Sequence, residues 1–142
     1  MRTVQELLAS KPAGVVTISP DAAVFAALER MAAHDIGALV VVDAGRVTGI
    51  LSERDYARKV ILHHKSSREI PVAEIMTTPV VSVTLTHTLE ECMALMSDKR
   101  IRHLPVLDGD RLVGVLSIGD LVRATISEQA FAIRQLEGYI AS

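Results

Sequence analysis

The segment Gly49-Ile50-Leu51-Ser52-Glu53-Arg54-Asp55 returns as Gly114-Val115-Leu116-Ser117-Ile118-Gly119-Asp120, 65 residues further on. Self-similarity at a fixed period constrains a fold more than any single motif, because each copy must build the same unit from the same pattern. The shift runs without a gap from Val15 to Arg123, pairing Val15-Val16 with Val80-Val81, Met31 with Met96, Ile36 with Ile101, Leu39 with Leu104 and Arg58 with Arg123. A short apolar leader stands ahead of each copy, Val4-Gln5-Glu6-Leu7-Leu8 and Val72-Ala73-Glu74-Ile75-Met76, related by 68 residues instead. The first copy is therefore three residues longer between leader and first strand, around 9–14. Copies at 1–63 and 72–125, a linker at 64–71 and a C-terminal extension at 126–142 account for the chain.

That duplication sets the scale of folding. The chain has 142 residues, an ordinary single-domain size, and a copy of about 60 residues stands near the lower limit for independent stability. The copies are expected to share one core and act as one module. Hydrophobic residues make up 49% of the chain, yet the longest apolar run, Ile36 to Val42 with Gly37 inside it, is far too short to cross a bilayer. The opening Met1-Arg2-Thr3-Val4-Gln5-Glu6-Leu7-Leu8 lacks the apolar stretch of a secretory signal. A net charge of −2 offers no broad basic surface to a nucleic acid backbone, and aromatic side chains for base stacking are scarce. The single cysteine excludes an internal disulfide and suits a reducing compartment. These features predict a soluble cytoplasmic protein with neither membrane nor nucleic acid as partner.

Hydrophobic periodicity gives each copy the order β-α-β-β-α. Val15 to Ile18 is short and β-branched, a strand; Asp21 to His34 places Val24, Ala27, Leu28 and Met31 at helical spacing behind a Ser19-Pro20 start signal. Ala38 to Val42 is the pattern of a strand buried on both faces. Asp43-Ala44-Gly45 turns the chain into a partner strand, Arg46 to Leu51, and a helix follows from Ser52 to about Leu62. The second copy repeats this with a strand at Val80 to Val83, a helix at Thr88 to Lys99 and a hairpin, Leu104 to Leu107 with Arg111 to Leu116, across Asp108-Gly109-Asp110. Its last helix starts near Ser117 and continues past the repeat, because Val122, Ile126, Ala130, Ile133, Leu136 and Ile140 keep helical spacing. That stripe has no counterpart in the first copy and calls for its own partner surface, such as a second subunit.

Both copies put a serine where a strand meets a helix. A helix N-terminus has unpaired amides and the positive end of the dipole, so Ser52 and Ser117 could bond a phosphate there. Asp55 and Asp120, three residues on, accept hydrogen bonds only and could hold a ribose diol. The same Ser-x-x-Asp spacing is nearly a capping box, in which the two residues satisfy each other's backbone. Duplication alone does not decide between the readings, because a duplicated fold duplicates its caps. Gly49 and Gly114 permit either a close backbone approach or close packing.

The element order, the leader ahead of each copy, Ile101-Arg102-His103-Leu104-Pro105-Val106 and the two Gly-h-h-Ser-x-x-Asp segments together resemble a tandem pair of CBS (cystathionine-β-synthase-type) domains, a Bateman module, across residues 3–125. The resemblance implies an α/β (α+β) fold of two repeats packed about a pseudo-two-fold axis, with the C-terminal helix added. It implies two clefts that take an adenosyl ligand (AMP, ADP, ATP, NAD(H) or S-adenosylmethionine), and a flat homodimer. Carried over by position, Asp55 and Asp120 would hold ribose hydroxyls, Ser52 and Ser117 would sit near phosphate, and the backbone at Val16 and Val81 would line adenine. Arg102 and His103 would reach phosphate. The first copy has Gly37-Ala38 at those two positions, with Arg54, opposite Gly119 in the alignment, as a partial substitute. One better nucleotide site is expected, not two equal ones.

The remaining candidates have plainer readings. Cys92 aligns with Ala27 and is expected to be a buried, inert thiol. His63 and His64, followed by Lys65, look like a solvated helix end, and His34 and His87 like surface or helix-end residues. No cluster with metal-ligand spacing and no catalytic constellation stands out, and an enzyme has no support in the sequence. Arg58 and Arg123 could reach phosphate or solvate the surface. The expected function is a regulatory module that binds an adenine nucleotide and modulates a partner protein by shifting the population of two arrangements. The alternative is a structural dimer or adaptor with vestigial clefts, in which Ser-x-x-Asp only caps helices.

Overall fold

A computed structural model of the chain describes residues 2–12, 14–64 and 66–141. Lys65 lies outside the described residues, whereas His63 and His64 are exposed as expected. The chain runs α1 (Val4–Ala9), β1 (Thr17–Ile18), α2 (Val24–His34), β2 (Ala38–Asp43), β3 (Arg46–Ser52) and α3 (Glu53–Tyr56), which widens into a π-helical segment (Ala57–Ile61). It continues with α4 (Val72–Ile75), α5 (Leu89–Lys99), β4 (His103–Asp108), β5 (Arg111–Ser117) and α6 (Ile118–Ala141). Two compact units result, one of residues 14–81 with 109–113, the other of 1–13, 82–108 and 114–142.

The first unit is organised by a three-stranded sheet in the order β1-β2-β3, with β1 parallel and β3 antiparallel to β2. Ala38 to Val41 are buried in succession, as a strand covered on both faces requires. Val24, Ala27 and Met31 of α2 and Val72 and Ile75 of α4 close over Leu39, Val41 and Leu51. The helix starts at Val24, not at Asp21, and Ser19-Pro20 is not its cap. Ala23 at the N-cap has no side chain to offer, and the amides of Val24 and Phe25 instead donate to the carbonyls of Ile70 and Ser67, both at 2.9 Å. Capping by a distant backbone leaves no local sequence signal.

The second unit builds the same pattern with one strand reduced. β4 and β5 form a two-stranded sheet, and the expected strand at Val80 to Val83 shrinks to a single parallel bridge between Val83 and Val106. In the first copy two residues of β1 pair with β2, Thr17 with Val40 and Ile18 with Val41. Pro105 stands where Val40 stands and has no N–H to give the neighbouring strand, so the ladder is cut to one rung. Here α5 does carry a capping box, with the Thr88 hydroxyl accepting from the Glu91 amide at 3.2 Å and the Glu91 carboxylate from the Thr88 amide at 3.0 Å. Leu89, Cys92 and Met96 of α5 are buried, as are Val4 and Leu7 of α1 and Leu104, Leu116 and Leu121.

The leaders explain the division into units. Each packs with the copy it does not precede in the chain. α4, ahead of the second copy, lies in the first unit, where Pro71 bridges to Ala23; α1, ahead of the first copy, lies in the second unit, where Thr3 bridges to Thr88. The repeated glycines make the fit. A Cβ on Gly49 would stand 2.5 Å from Met76 Sδ, and one on Gly114 would stand 2.6 Å from Leu8 Cδ2. Of the two readings of these glycines, close packing against a leader is the one the structure supports. Gly114→Ala is expected to destabilise the protein by about 1–3 kcal/mol through overpacking. In a Leu8→Ala background the added methyl has room, so urea unfolding of the double-mutant cycle should show most of that cost disappearing.

Candidate functional site

β3 and β5 each end on a serine that passes directly into a helix. The Ser52 hydroxyl accepts from the Asp55 amide at 3.1 Å, and the Asp55 carboxylate accepts from the Ser52 amide at 2.9 Å. At the second junction the equivalent bonds are 3.2 Å, Asp120 amide to Ser117 hydroxyl, and 2.8 Å, Ser117 amide to Asp120 carboxylate. The next amides, of Glu53 and Ile118, donate to the carbonyls of Gly37 and Arg102 at 3.0 and 2.8 Å. Gly37 and Arg102 are themselves equivalent in the repeat, so both junctions carry one shared cap. Ser-x-x-Asp is a working capping box in both copies. It still leaves each carboxylate 13% exposed with further partners.

Those partners are where the copies diverge. Asp120 accepts from Lys11 Nζ at 2.7 Å and from Arg123 Nη2 at 2.8 Å, and Lys11 also donates to the Val115 carbonyl at 2.7 Å. Lys11 belongs to the stretch by which the first copy is longer, and its one signal in the sequence is that a lysine stands in a segment with no counterpart in the second copy. Asp55 instead accepts from the Thr77 hydroxyl at 3.0 Å and has the Lys59 ammonium at 3.2 Å. Arg58 occupies the position of Arg123, but at this junction its neighbour Lys59 makes the ion pair. The wider π-helical turn beginning at Ala57 changes which residue faces back toward the junction. Lys59's counterpart in the second copy is Ala124, which is buried.

The other expected site residues fall as follows. His103 opens β4 and is half-buried, Arg102 beside it is exposed, and Arg54 is half-buried on α3. Val16 and Val81 are half-buried, Val16 against the core of the first unit. Burial pushes the His103 imidazole below its ordinary value, Lys11 and Arg102 push the same way, and the Asp120 charge opposes them. Burial raises the Asp120 carboxyl, but the Lys11 ammonium and the Ser117 amide outweigh it and hold the group ionised. Cys92 is fully buried, and burial pushes its thiol up to about 11. Among the described residues no group of His, Cys, Asp or Glu is gathered as a metal site, and no helix is long and apolar enough to cross a membrane.

Both copies match the CBS domain, over residues 4–62 and 72–127, and the chain belongs to the CBS domain family as a tandem pair. The CBS pair is a regulatory module. The chain is 41% identical over 125 residues to the CBS domain-containing protein CBSX3, mitochondrial, of Arabidopsis thaliana, a match covering 84% of this chain and 61% of that protein's length. The solved CBS domain structure of NE2398 is 50% identical, with a TM-score of 0.84, and the match covers 88% of this chain and 98% of that one. The CBS domain pair of protein MJ0100, solved in complex with 5′-methylthioadenosine and S-adenosyl-L-methionine, is 27% identical with a TM-score of 0.80, covering 90% of this chain and 98% of that one.

The depressed imidazole has a pH consequence. The unfolded chain protonates at about 6.5, before the folded one does. The stability due to neutral His103 is therefore complete above that pH and is lost as pH falls toward the folded-state value. Asp120 adds a loss of the same sign at lower pH. Urea unfolding of His103→Asn should show a shallower decline of stability between about pH 7 and 5 than the parent. An unchanged decline would show that another group is responsible.

Proposed function

We propose that this CBS pair binds an adenosyl ligand and thereby alters the activity of a partner protein through contact, working as a homodimer in the cytoplasm. One observation carries the reading: a half-buried, ionised carboxylate sits among an excess of positive charge. Asp120 is paired with both Lys11 and Arg123, and Arg102 and His103 stand close enough to feel or modify the same field. An ionised carboxylate can take the two hydroxyls of a ribose, while the surplus charge suits phosphate. That surplus favours AMP, ADP, ATP or NAD(H) over the cationic S-adenosylmethionine. The adenosyl compounds bound by the MJ0100 pair support the ligand class.

In this reading Asp120 and Asp55 hold ribose, Ser117 and Ser52 lie near phosphate with Arg102, His103 and Arg54, and the backbone at Val16 and Val81 lines adenine. The second-copy site is the tighter one, because Asp55 has one paired lysine and a threonine where Asp120 has two paired cations. A diol taking Asp120 competes with Lys11, which follows leader α1. Ligand binding can thereby act on the leader's packing, and the ligand shifts the population only by its difference in affinity for the two arrangements.

The competing reading, an adaptor whose caps do nothing else, draws on the fact that both capping boxes are complete without a ligand. Thermal shift and calorimetry with AMP, ATP, NADH and S-adenosylmethionine separate the two. A ligand at 100 times its Kd adds about 2.7 kcal/mol of stability. Asp120→Asn is expected to weaken the best ligand at least tenfold while costing about 1 kcal/mol of folding stability, and Asp55→Asn to weaken it less. Absence of any shift at millimolar ligand would leave the adaptor reading standing. Equal affinity for 2′-deoxy and ribo forms would remove the ribose role.

A further inference from the structure

Residues 56–68 hold four of the chain's 15 lysines and arginines, two of its five histidines and none of its 17 aspartates and glutamates. No other stretch free of acids gathers as many cations, and the remainder of the chain carries 11 cations against 17 acids, a net −6. The stretch runs from the π-helical segment toward α4 and is moored in the core of the first unit by Val60 and, just beyond it, Ile70. Between these anchors the Leu62 amide donates to the Ala57 carbonyl at 3.3 Å and the His64 amide to the Ile61 carbonyl at 3.1 Å. The Ser67 carbonyl takes the Phe25 amide at 2.9 Å, and the Arg68 guanidinium lies over the Phe25 ring, 4.9 Å from its centroid. Among the described residues, the large hydrophobic side chains exposed outside α6 are Phe25, Ile61 and Leu62, at 37, 52 and 69%. All three fall in or against this one basic stretch.

We propose that this surface docks a short acidic segment of the regulated protein, seating an apolar side chain on Ile61 and Leu62 between carboxylates that meet Arg58 and Arg68. An apolar centre inside a polar rim is the make-up of a protein interface, whereas a helix end that only meets water gains nothing from isoleucine and leucine. The parts lie within reach of one short segment, because the six residues from Leu62 to Arg68 span at most about 20 Å even fully extended. Arg68 is held over Phe25, yet the edge of a stacked guanidinium keeps its donors for a carboxylate. Lys59 is engaged with Asp55, so Arg58 and Arg68 carry the recognition of charge, with the exposed imidazoles of His63 and His64 as further donors. The charge balance of the chain selects the size of the occupant. Surface charges act over a Debye length of about 8 Å at physiological salt. A short acidic segment feels the basic surface alone, whereas a nucleic acid or an anionic bilayer also meets the net −6 of the rest. The inference rests on the reading of this chain as a module that acts through protein contact, and not on its binding a nucleotide.

The test uses the full chain without nucleotide. Selection from a phage-displayed library of random peptides of about 12 residues, about 40 Å when extended, should enrich sequences with an apolar residue flanked by aspartate or glutamate. The most enriched peptide, labelled with fluorescein, is then titrated by fluorescence anisotropy. Leu62→Ser and Arg68→Glu should each weaken it about tenfold, and Arg68→Gln less than Arg68→Glu. Circular dichroism should be unchanged in all three, because neither side chain belongs to the core. Raising salt from about 0.05 to about 0.5 M should weaken the parent complex, and replacing the peptide's acids by their amides should abolish that salt dependence. A library that enriches nothing, enriched peptides with no acidic bias, or equal affinity for parent, Leu62→Ser and Arg68→Glu would overturn the proposal. Tighter binding of phosphatidylcholine–phosphatidylserine vesicles or of a single-stranded oligonucleotide than of the peptide would overturn the choice of occupant. So would a dimer in sedimentation equilibrium that Leu62→Ser turns into a folded monomer, since a second copy would then cover the surface. Failure of AMP, ATP or NADH to bind leaves these outcomes unaffected.

Discussion

The constraint on which most of this structure depends is the satisfaction of backbone groups where a strand passes straight into a helix. A helix N-terminus has unpaired amides, and at these junctions it begins with no loop between it and the strand to supply partners. One arrangement solves the problem twice: serine and aspartate cap each other, and a carbonyl from the neighbouring strand's start takes the next amide. The same solution leaves an oriented carboxylate at the surface of each unit, and the one at Asp120 is held ionised. The proposed ligand site is therefore a by-product of the cap, so the same residues carry both a structural and a functional reading.

From that shared junction the copies part through what was added around it. The three extra residues of the first copy bring Lys11 onto Asp120, and Arg123 joins it one helical turn on. At the other junction the π-helical turn supplies Lys59, and Thr77 replaces a cation with a hydroxyl. Coulomb attraction between partly buried charges is stronger than between solvated ones. Differences of a residue or two around one carboxylate are thus enough to make two copies of a fold unequal in the charge they gather there.

Much of this was legible from pattern alone. The repeat, the order β-α-β-β-α and the long last helix followed from periodicity, because periods of two and 3.6 residues are properties of the backbone and need no tertiary information. The spacing for caps at Ser52 and Ser117 was likewise local. What could not be read were contacts made by distant backbone. The start of α2 depends on carbonyls of Ile70 and Ser67, the truncated first strand of the second copy on Pro105 opposite it, and the grip on Asp120 on a lysine 109 positions away. The C-caps escaped notice for another reason. Asp35 and Arg100 take left-handed conformations that usually draw glycine, so the customary marker was missing.

By itself the sequence determined that this protein is two copies of one unit, where each copy's core lies and which serine and aspartate stand at each strand-to-helix junction. Those are decisions of short-range geometry and of apolar spacing. Only the tertiary structure decided that each leader helix serves the other copy, that Gly49 and Gly114 are there to admit Met76 and Leu8, and that Asp120 and not Asp55 is ringed by cations. Such choices are settled by which surfaces meet once the chain has folded, and a repeat that reads alike in both halves gives no hint of which half will receive which neighbour.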